Sequence, residues 1–235
     1  MNPLSILVVA EGVTDQTVLE CLLPAALAPD RRITLHPVQP TGDRIALSGE
    51  AEGGWRQVLQ WCRRKSPEIR RNARLGKSLF ATSPATPFDI LLVHLDADLC
   101  ENEEFQKTTT VNAHNFDLST PNGRGKYVET VLTLWLWPDG KPGGDEVWTR
   151  TALAVEATET WLIAGLMHTT DPERDRTPFA ALQAWAAEIE NRPLAKKKAD
   201  RYRRLADRAA GNISGILEKC PHFADLVARI NNSDR

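Results

Sequence analysis

The chain has 235 residues, 42% hydrophobic and 26% charged, with a formal net charge of -2. That length can bury a full core, and the balanced charge excludes a global positive field, so any phosphate contact must come from a local basic patch. Cys21, Cys62, Cys100 and Cys220 are scattered without a Cys-x-x-Cys pair, which argues against structural zinc and a disulfide framework and for free thiols.

In chain order, Ile6 to Val9 is a short, β-branched apolar run ending on Glu11 and Gly12, as expected of a strand covered on both faces. A helix is expected from Thr14, with its hydroxyl as N-cap, Val18, Leu19, Leu22 and Leu23 on one face, and an end near Pro29. "RITLHPV" reads as a second strand and Trp55 to Arg64 as a helix, followed by a basic, solvated continuation. "FDILLVHLDAD" is a strong strand with an acidic end. The polar stretch from Glu101 to Gly125 predicts a loop or mobile insertion. "YVETVLTLWLW" reads as a helix, although its β-branched content leaves a strand open, and "PDGKPGGDE" as a breaker. "WTRTALAVE" predicts another strand and "ATETWLIAGLM" a helix. From Pro178 the chain reads as helical throughout.

Strands alternating with helices predict an α/β fold, a mostly parallel sheet flanked by helices over residues 1–170, with a helical C-terminal extension over 171–235 packed on it. The amino terminus lacks the basic region of a signal peptide, and no run approaches the roughly 20 apolar residues of a membrane span. A cytoplasmic, soluble protein is expected.

Ligands of parallel sheets gather at the carboxyl ends of the strands, where the unusual acids fall: Glu11 with Asp15, Asp96 with Asp98, and Glu156 with Glu159. If the strand stays extended, Asp96 and Asp98 point to the same side; on a helix, Glu156 and Glu159 share a face. Each motif alone has a structural explanation: Gly12 as a tight turn, Asp15 as a favourable first-turn charge, Asp-x-Asp as loop chemistry. Six carboxylates at one rim would repel by several kcal/mol at low effective dielectric, and a hard divalent cation offsets that. An oxygen-only ligand set points to magnesium, manganese or calcium.

The order of these motifs, "VVAEGVTD" and then "VHLDAD", resembles the TOPRIM domain, in which a Glu follows the first strand and an Asp-x-Asp a later one. The spacing of Glu11 and Asp15, a further Glu and a late Lys look more like the overcoming-lysogenization-defect (OLD) nuclease branch. "AVEATETWLIAG" and "CPHFADLVARI" are similar to segments of a family of small, uncharacterised bacterial TOPRIM-like proteins. That family places its first Glu two residues before the second, whereas Glu156 lies three before Glu159, which leaves its role as a ligand open. The resemblance implies a nuclease in which Asp96, Asp98 and Glu159, with Asp15 and Glu156, hold one or two Mg2+ or Mn2+ ions. Glu11 would act as ligand or general base, and Lys197 as the cation near the leaving oxygen. It also implies a setting in anti-phage defence, beside an ATPase subunit.

The basic run "LAKKKADRYRR", with Lys196, Lys197, Lys198, Arg201, Arg203 and Arg204, is the candidate contact for DNA or RNA, and a solvated helix start is its plain alternative. No phosphate-binding Gly-x-x-x-x-Gly-Lys loop is present, so ATP hydrolysis would fall to a partner. Two competing readings are a non-cleaving metal- or nucleotide-binding subunit of an ATPase complex, and phosphoryl chemistry on a small molecule with residues 101–125 as a lid. His94 is expected to be a satisfied, buried imidazole, Trp161 and Trp185 to lie on helical core faces, and Trp135 with Trp137 to cover an interface.

Overall fold

The computed structural model of the protein describes residues 4–27, 32–39, 54–64, 67, 88–139, 149–191, 194 and 196–232. The first helix ends at Ala26, with Leu27 as its C-cap, close to the expected Pro29; Pro29 itself, most of the basic continuation after Arg64 and most of "PDGKPGGDE" lie outside the described residues. Strands β1 (Leu4–Val9), β2 (Ile33–Gln39), β3 (Ile90–Asp96) and β4 (Thr149–Ala154) form a sheet of order β2-β1-β3-β4. All three pairings are parallel.

Residues alternate across the sheet into two separate cores. Leu4, Ile6, Val8, Ile90, Leu92, Ala152 and Ala154 lie in one. Leu7, Val9, Leu91, Val93, Leu95 and Leu153 lie in the other. Both faces are covered, which is why β1 and β3 read as unbroken apolar runs.

The first face carries α1 (Val13–Ala26), α5 (Glu159–Leu166) and the C-terminal helices α6 (Pro178–Ile189), α7 (Ala199–Ala210), α8 (Ile213–Lys219) and α9 (Pro221–Asn231). The second carries α2 (Trp55–Arg64), α3 (Glu103–Thr108) and α4 (Pro121–Leu136). The architecture is therefore α/β, a parallel sheet flanked by helices, with the C-terminal helices sharing the core of α1 and α5. Contact between α5 and α7 is close: a Cβ at Gly165 would meet Ala209 Cβ and its carbonyl oxygen at 2.9 Å.

Four local expectations change. Helix α1 begins at Val13 and its N-cap is Gly12, not Thr14, because the Asp15 carboxylate reaches back to accept the Gly12 N–H at 2.8 Å. The polar stretch 101–125 is built from short helices. Asn102 accepts from the N–H groups of Glu104 and Phe105 at 3.0 Å, and Thr120 caps α4 by accepting from Gly123 at 3.1 Å; small polar residues there serve as caps. "YVETVLTLWLW" belongs to α4, so the strand alternative falls away. Trp135 and Trp137 lie not at the surface but in the second core, where Trp135 stacks on Trp55 with ring centroids 6.3 Å apart. The four cysteines are free thiols.

Candidate functional site: an acidic rim completed by the C-terminal helices

The strand order changes direction between β1 and β3, the position at which parallel sheets leave a crevice beyond their carboxyl ends. Register places the acids there: Val9 lies opposite Val93 and Asp96 opposite Ala154, so Glu11, Asp96 and the segment after β4 share one edge. Glu11 spans it. Its Oε1 accepts the Asp96 backbone N–H at 2.9 Å, and its carbonyl accepts the Gly54 N–H at 2.8 Å.

Asp15 is buried in the first turn of α1. One carboxylate oxygen takes the Gly12 N–H and the other accepts the Thr158 hydroxyl at 2.8 Å. Asp96 is buried at the end of β3, and its Oδ1 makes no hydrogen bond. The strand stops there, and Ala97–Glu101 form a 3-10 helix. Asp98 is therefore not the extended-strand neighbour expected from the Asp-x-Asp spacing, and it is exposed. Its N–H donates to the Glu156 carbonyl at 3.0 Å.

Glu156 and Glu159 do not share a helix face. Glu156 precedes α5 with φ 68, a left-handed conformation that costs a non-glycine residue about 1 kcal/mol or more. Its buried carboxylate pairs with the buried Arg124 and, at 3.4 Å, with Arg176. Arg124 also donates to the carbonyls of Leu118, Ser119 and Glu173. Glu156 is thus tied to arginines, although the Asp98 charge also acts on it. Glu159, fully buried at the start of α5, binds Lys197 Nζ at 2.8 Å through Oε1. The same oxygen accepts the Tyr202 hydroxyl, while Oε2 makes no hydrogen bond.

The electrostatics reflect this crowding. Burial first, then the charges of Asp15 and Asp98, push the Glu11 carboxyl up to about 8 against the Asp96 N–H, which opposes the shift. Asp15 is pushed up to about 6, chiefly by burial, with Thr158 opposing and Glu159 adding. Asp96 lies well above the ordinary carboxylate range through burial, then Asp15, Glu11, Asp98 and Glu159. Asp98 is raised by desolvation, with Lys197 pulling the other way and Glu159 adding. Burial disfavours the Lys197 ammonium, but Glu159, Asp96 and Asp15 more than compensate and raise its pKa. The charges of Glu11, Asp15, Asp96, Asp98, Glu159 and Lys197 therefore act on one another at one edge.

Among the described residues no three His, Cys, Asp or Glu side chains are drawn up as a ready ligand set. Most of these acids are turned to internal donors instead: Glu11 to a backbone N–H, Asp15 to Gly12 and Thr158, Glu159 to Lys197 and Tyr202. The chemistry still suits a hard cation. Two carboxylate oxygens, Asp96 Oδ1 and Glu159 Oε2, are buried without a hydrogen bond, a costly state that a divalent ion would relieve.

Of the basic run, Lys197 reaches the acids. Lys196 and Lys198 are exposed, Arg201 pairs with Glu190 at 3.3 Å, Arg203 pairs with Glu20 on α1, and Arg204 is exposed. His94 is buried, but contrary to expectation neither ring nitrogen makes a hydrogen bond. Nε2 lies 3.6 Å from Asp96 Oδ1, beyond hydrogen-bonding range, and burial pushes the imidazole down to about 3. Its edge meets Trp161 instead, with centroids 5.7 Å apart.

Sequence reading missed Thr158, Tyr202, Arg124 and Arg176. Tyr202 sits inside "DRYRR", where the charges draw notice, and Arg124 lies in a stretch expected to be loop. No signal in one chain pairs Arg124 with Glu156 or Tyr202 with Glu159.

No protein-family model matches the chain, and neither a curated protein nor a solved structure matches it significantly. Among the described residues no helix is long and apolar enough to cross a membrane.

Proposed function

We propose that the protein is a divalent-metal-dependent phosphodiesterase acting on nucleic acid, a nuclease of TOPRIM type serving bacterial anti-phage defence. The observation that carries the reading is the meeting of Glu11, Asp15, Asp96, Asp98 and Glu159 at one sheet edge, with Glu11 accepting the Asp96 N–H at 2.9 Å. Glu11, Asp96, Asp98 and Glu159 would hold Mg2+ or Mn2+, which would neutralise charge on the phosphoryl group and lower the pKa of a bound water.

The chain's own groups divide the remaining tasks. Glu11, held by the Asp96 N–H at 2.9 Å, would serve as a ligand or, with a water between it and the ion and in its ionised form, as the general base toward that water. Asp15 is held by Gly12 and Thr158 and supports the cluster from the first turn of α1. Lys197, with 44% of its side chain open to solvent, can leave Glu159 to meet phosphate oxygens. Lys196, Lys198 and Arg204 extend that positive surface.

The test is incubation of the full chain with plasmid, single-stranded DNA and transfer RNA in Mg2+, Mn2+ or EDTA. Metal-dependent cutting lost in Asp96→Ala supports the reading. Cutting that survives EDTA or Asp96→Ala overturns it. Metal binding without cutting, even beside an ATPase partner, replaces it with a non-cleaving binding subunit.

A further inference from the structure

We infer that Tyr202 is a positioning residue for the acidic site: its hydroxyl holds one oxygen of Glu159 and keeps the other free to take a divalent cation. The inference rests on the metal-site reading above and adds to it a group from the C-terminal helices, outside every acidic motif.

Glu159 is fully buried, and both of its side-chain donors come from the C-terminal segment. Lys197, just before α7, reaches Oε1 at 2.8 Å. Tyr202, in the first turns of α7, donates its O–H to the same oxygen. Oε2 is left buried without a hydrogen bond, inside the cluster whose charges act on Asp15, Asp96 and Asp98. Saturating one oxygen with two donors fixes rotation about the carboxylate and leaves the lone pairs of the other unused.

The two donors differ in character. Lys197 is an ammonium on a long side chain that is 44% exposed, and its Nζ also lies 5.5 Å from the Phe179 ring centroid. Tyr202 is buried in the first core among Leu205, Ala206 and Ala209, and a rigid phenol has only two side-chain torsions. When Lys197 moves away, Tyr202 still orients Glu159. Groups that orient metal-binding carboxylates from behind typically contribute 10- to 100-fold in affinity.

The experiment is calorimetric titration of the full chain with Mn2+ alone, comparing wild type, Tyr202→Phe, Tyr202→Met, Glu159→Gln and the Tyr202→Phe/Glu159→Gln double variant, with thermal melting in EDTA as the control for folding. Expected is a loss of about 10-fold in Mn2+ affinity in Tyr202→Phe and no further loss when it is added to Glu159→Gln, since Tyr202 acts through Glu159. Should Tyr202→Phe fail to fold, Tyr202→Met, which also lacks the hydroxyl but adapts its shape to the core, takes its place with the same expected loss. Wild-type affinity in the folded Tyr202 variant, or an equal loss in the Glu159→Gln background, overturns the role of Tyr202 and leaves the metal site standing. Absence of Mn2+ binding in wild type overturns both.

Discussion

Glu11 Oε1 accepts the backbone N–H of Asp96 at 2.9 Å, joining the turn after β1 to the last residue of β3. The bond crosses the crevice where the strand order reverses, so one side chain sets the distance between two acidic motifs 85 residues apart. It also explains why Glu11 remains compatible with burial: a backbone donor offsets part of the desolvation of its carboxyl.

The raised carboxyls have a definite sign in stability. Glu11 rises from its ordinary 4.5 to about 8. Between those values the folded chain keeps a proton that the unfolded chain has lost, so stability falls as pH rises through the window and is level above it. In EDTA, the thermal midpoint of wild type should therefore fall relative to Glu11→Gln from about pH 5 to about pH 8. Saturating Mn2+ should reverse the trend. Parallel wild-type and Glu11→Gln curves across that range would contradict the coupling.

Thr158→Val keeps the shape of a fully buried side chain and removes the donor to Asp15 Oδ1. The expected cost is about 1–3 kcal/mol, read as a lower urea midpoint at unchanged slope. Thr158→Ser should recover most of it. Equal stability of Thr158→Val and wild type would mean that Asp15 does not depend on this bond.

Arg124→Met takes the buried arginine from the buried Glu156 carboxylate and leaves it only the half-exposed Arg176 at 3.4 Å; burial already raises its pKa in spite of Arg124. Breaking one side of a buried pair should cost about 3–5 kcal/mol. Adding Glu156→Gln should restore a large part, since the poorly compensated charge disappears. Because the Glu156 carbonyl holds the Asp98 N–H, Arg124→Met should also weaken Mn2+ binding. No recovery in the double variant would place the cost elsewhere.

Gly165→Ala sets two effects against each other. Helix propensity alone favours alanine by about 1 kcal/mol, but the new methyl would meet Ala209 at 2.9 Å, and overpacking costs about 1–3 kcal/mol. The clash should win, lowering stability and loosening the helix that brings Tyr202 to Glu159. A variant more stable than wild type would show that α5 and α7 do not approach so closely.

The sheet was legible because β1, β3 and β4 are each buried on both faces and end abruptly in polar residues. Their acids were legible for the same reason: a carboxylate directly after an apolar strand lies at the carboxyl edge of a parallel sheet. Asp98 and Glu156 were misplaced because spacing arguments assume that a strand or helix continues, whereas the chain turns into a 3-10 helix at Ala97 and into a left-handed residue at Glu156. Arg124, Thr158 and Tyr202 were invisible because their roles are pairings between distant segments, and a single chain carries no mark of which buried donor meets which acid. The segment 101–125 looked mobile because its Asn, Asp and Thr residues suit loops and helix caps equally.

The most direct measurement is the anomalous diffraction of crystals grown with Mn2+. Expected is a peak at coordination distance from Asp96 Oδ1 and Glu159 Oε2, with Glu11 or Asp98 as a further ligand. An empty rim at millimolar Mn2+, or manganese bound only elsewhere on the surface, would contradict the proposal that these strand-end acids form a metal centre.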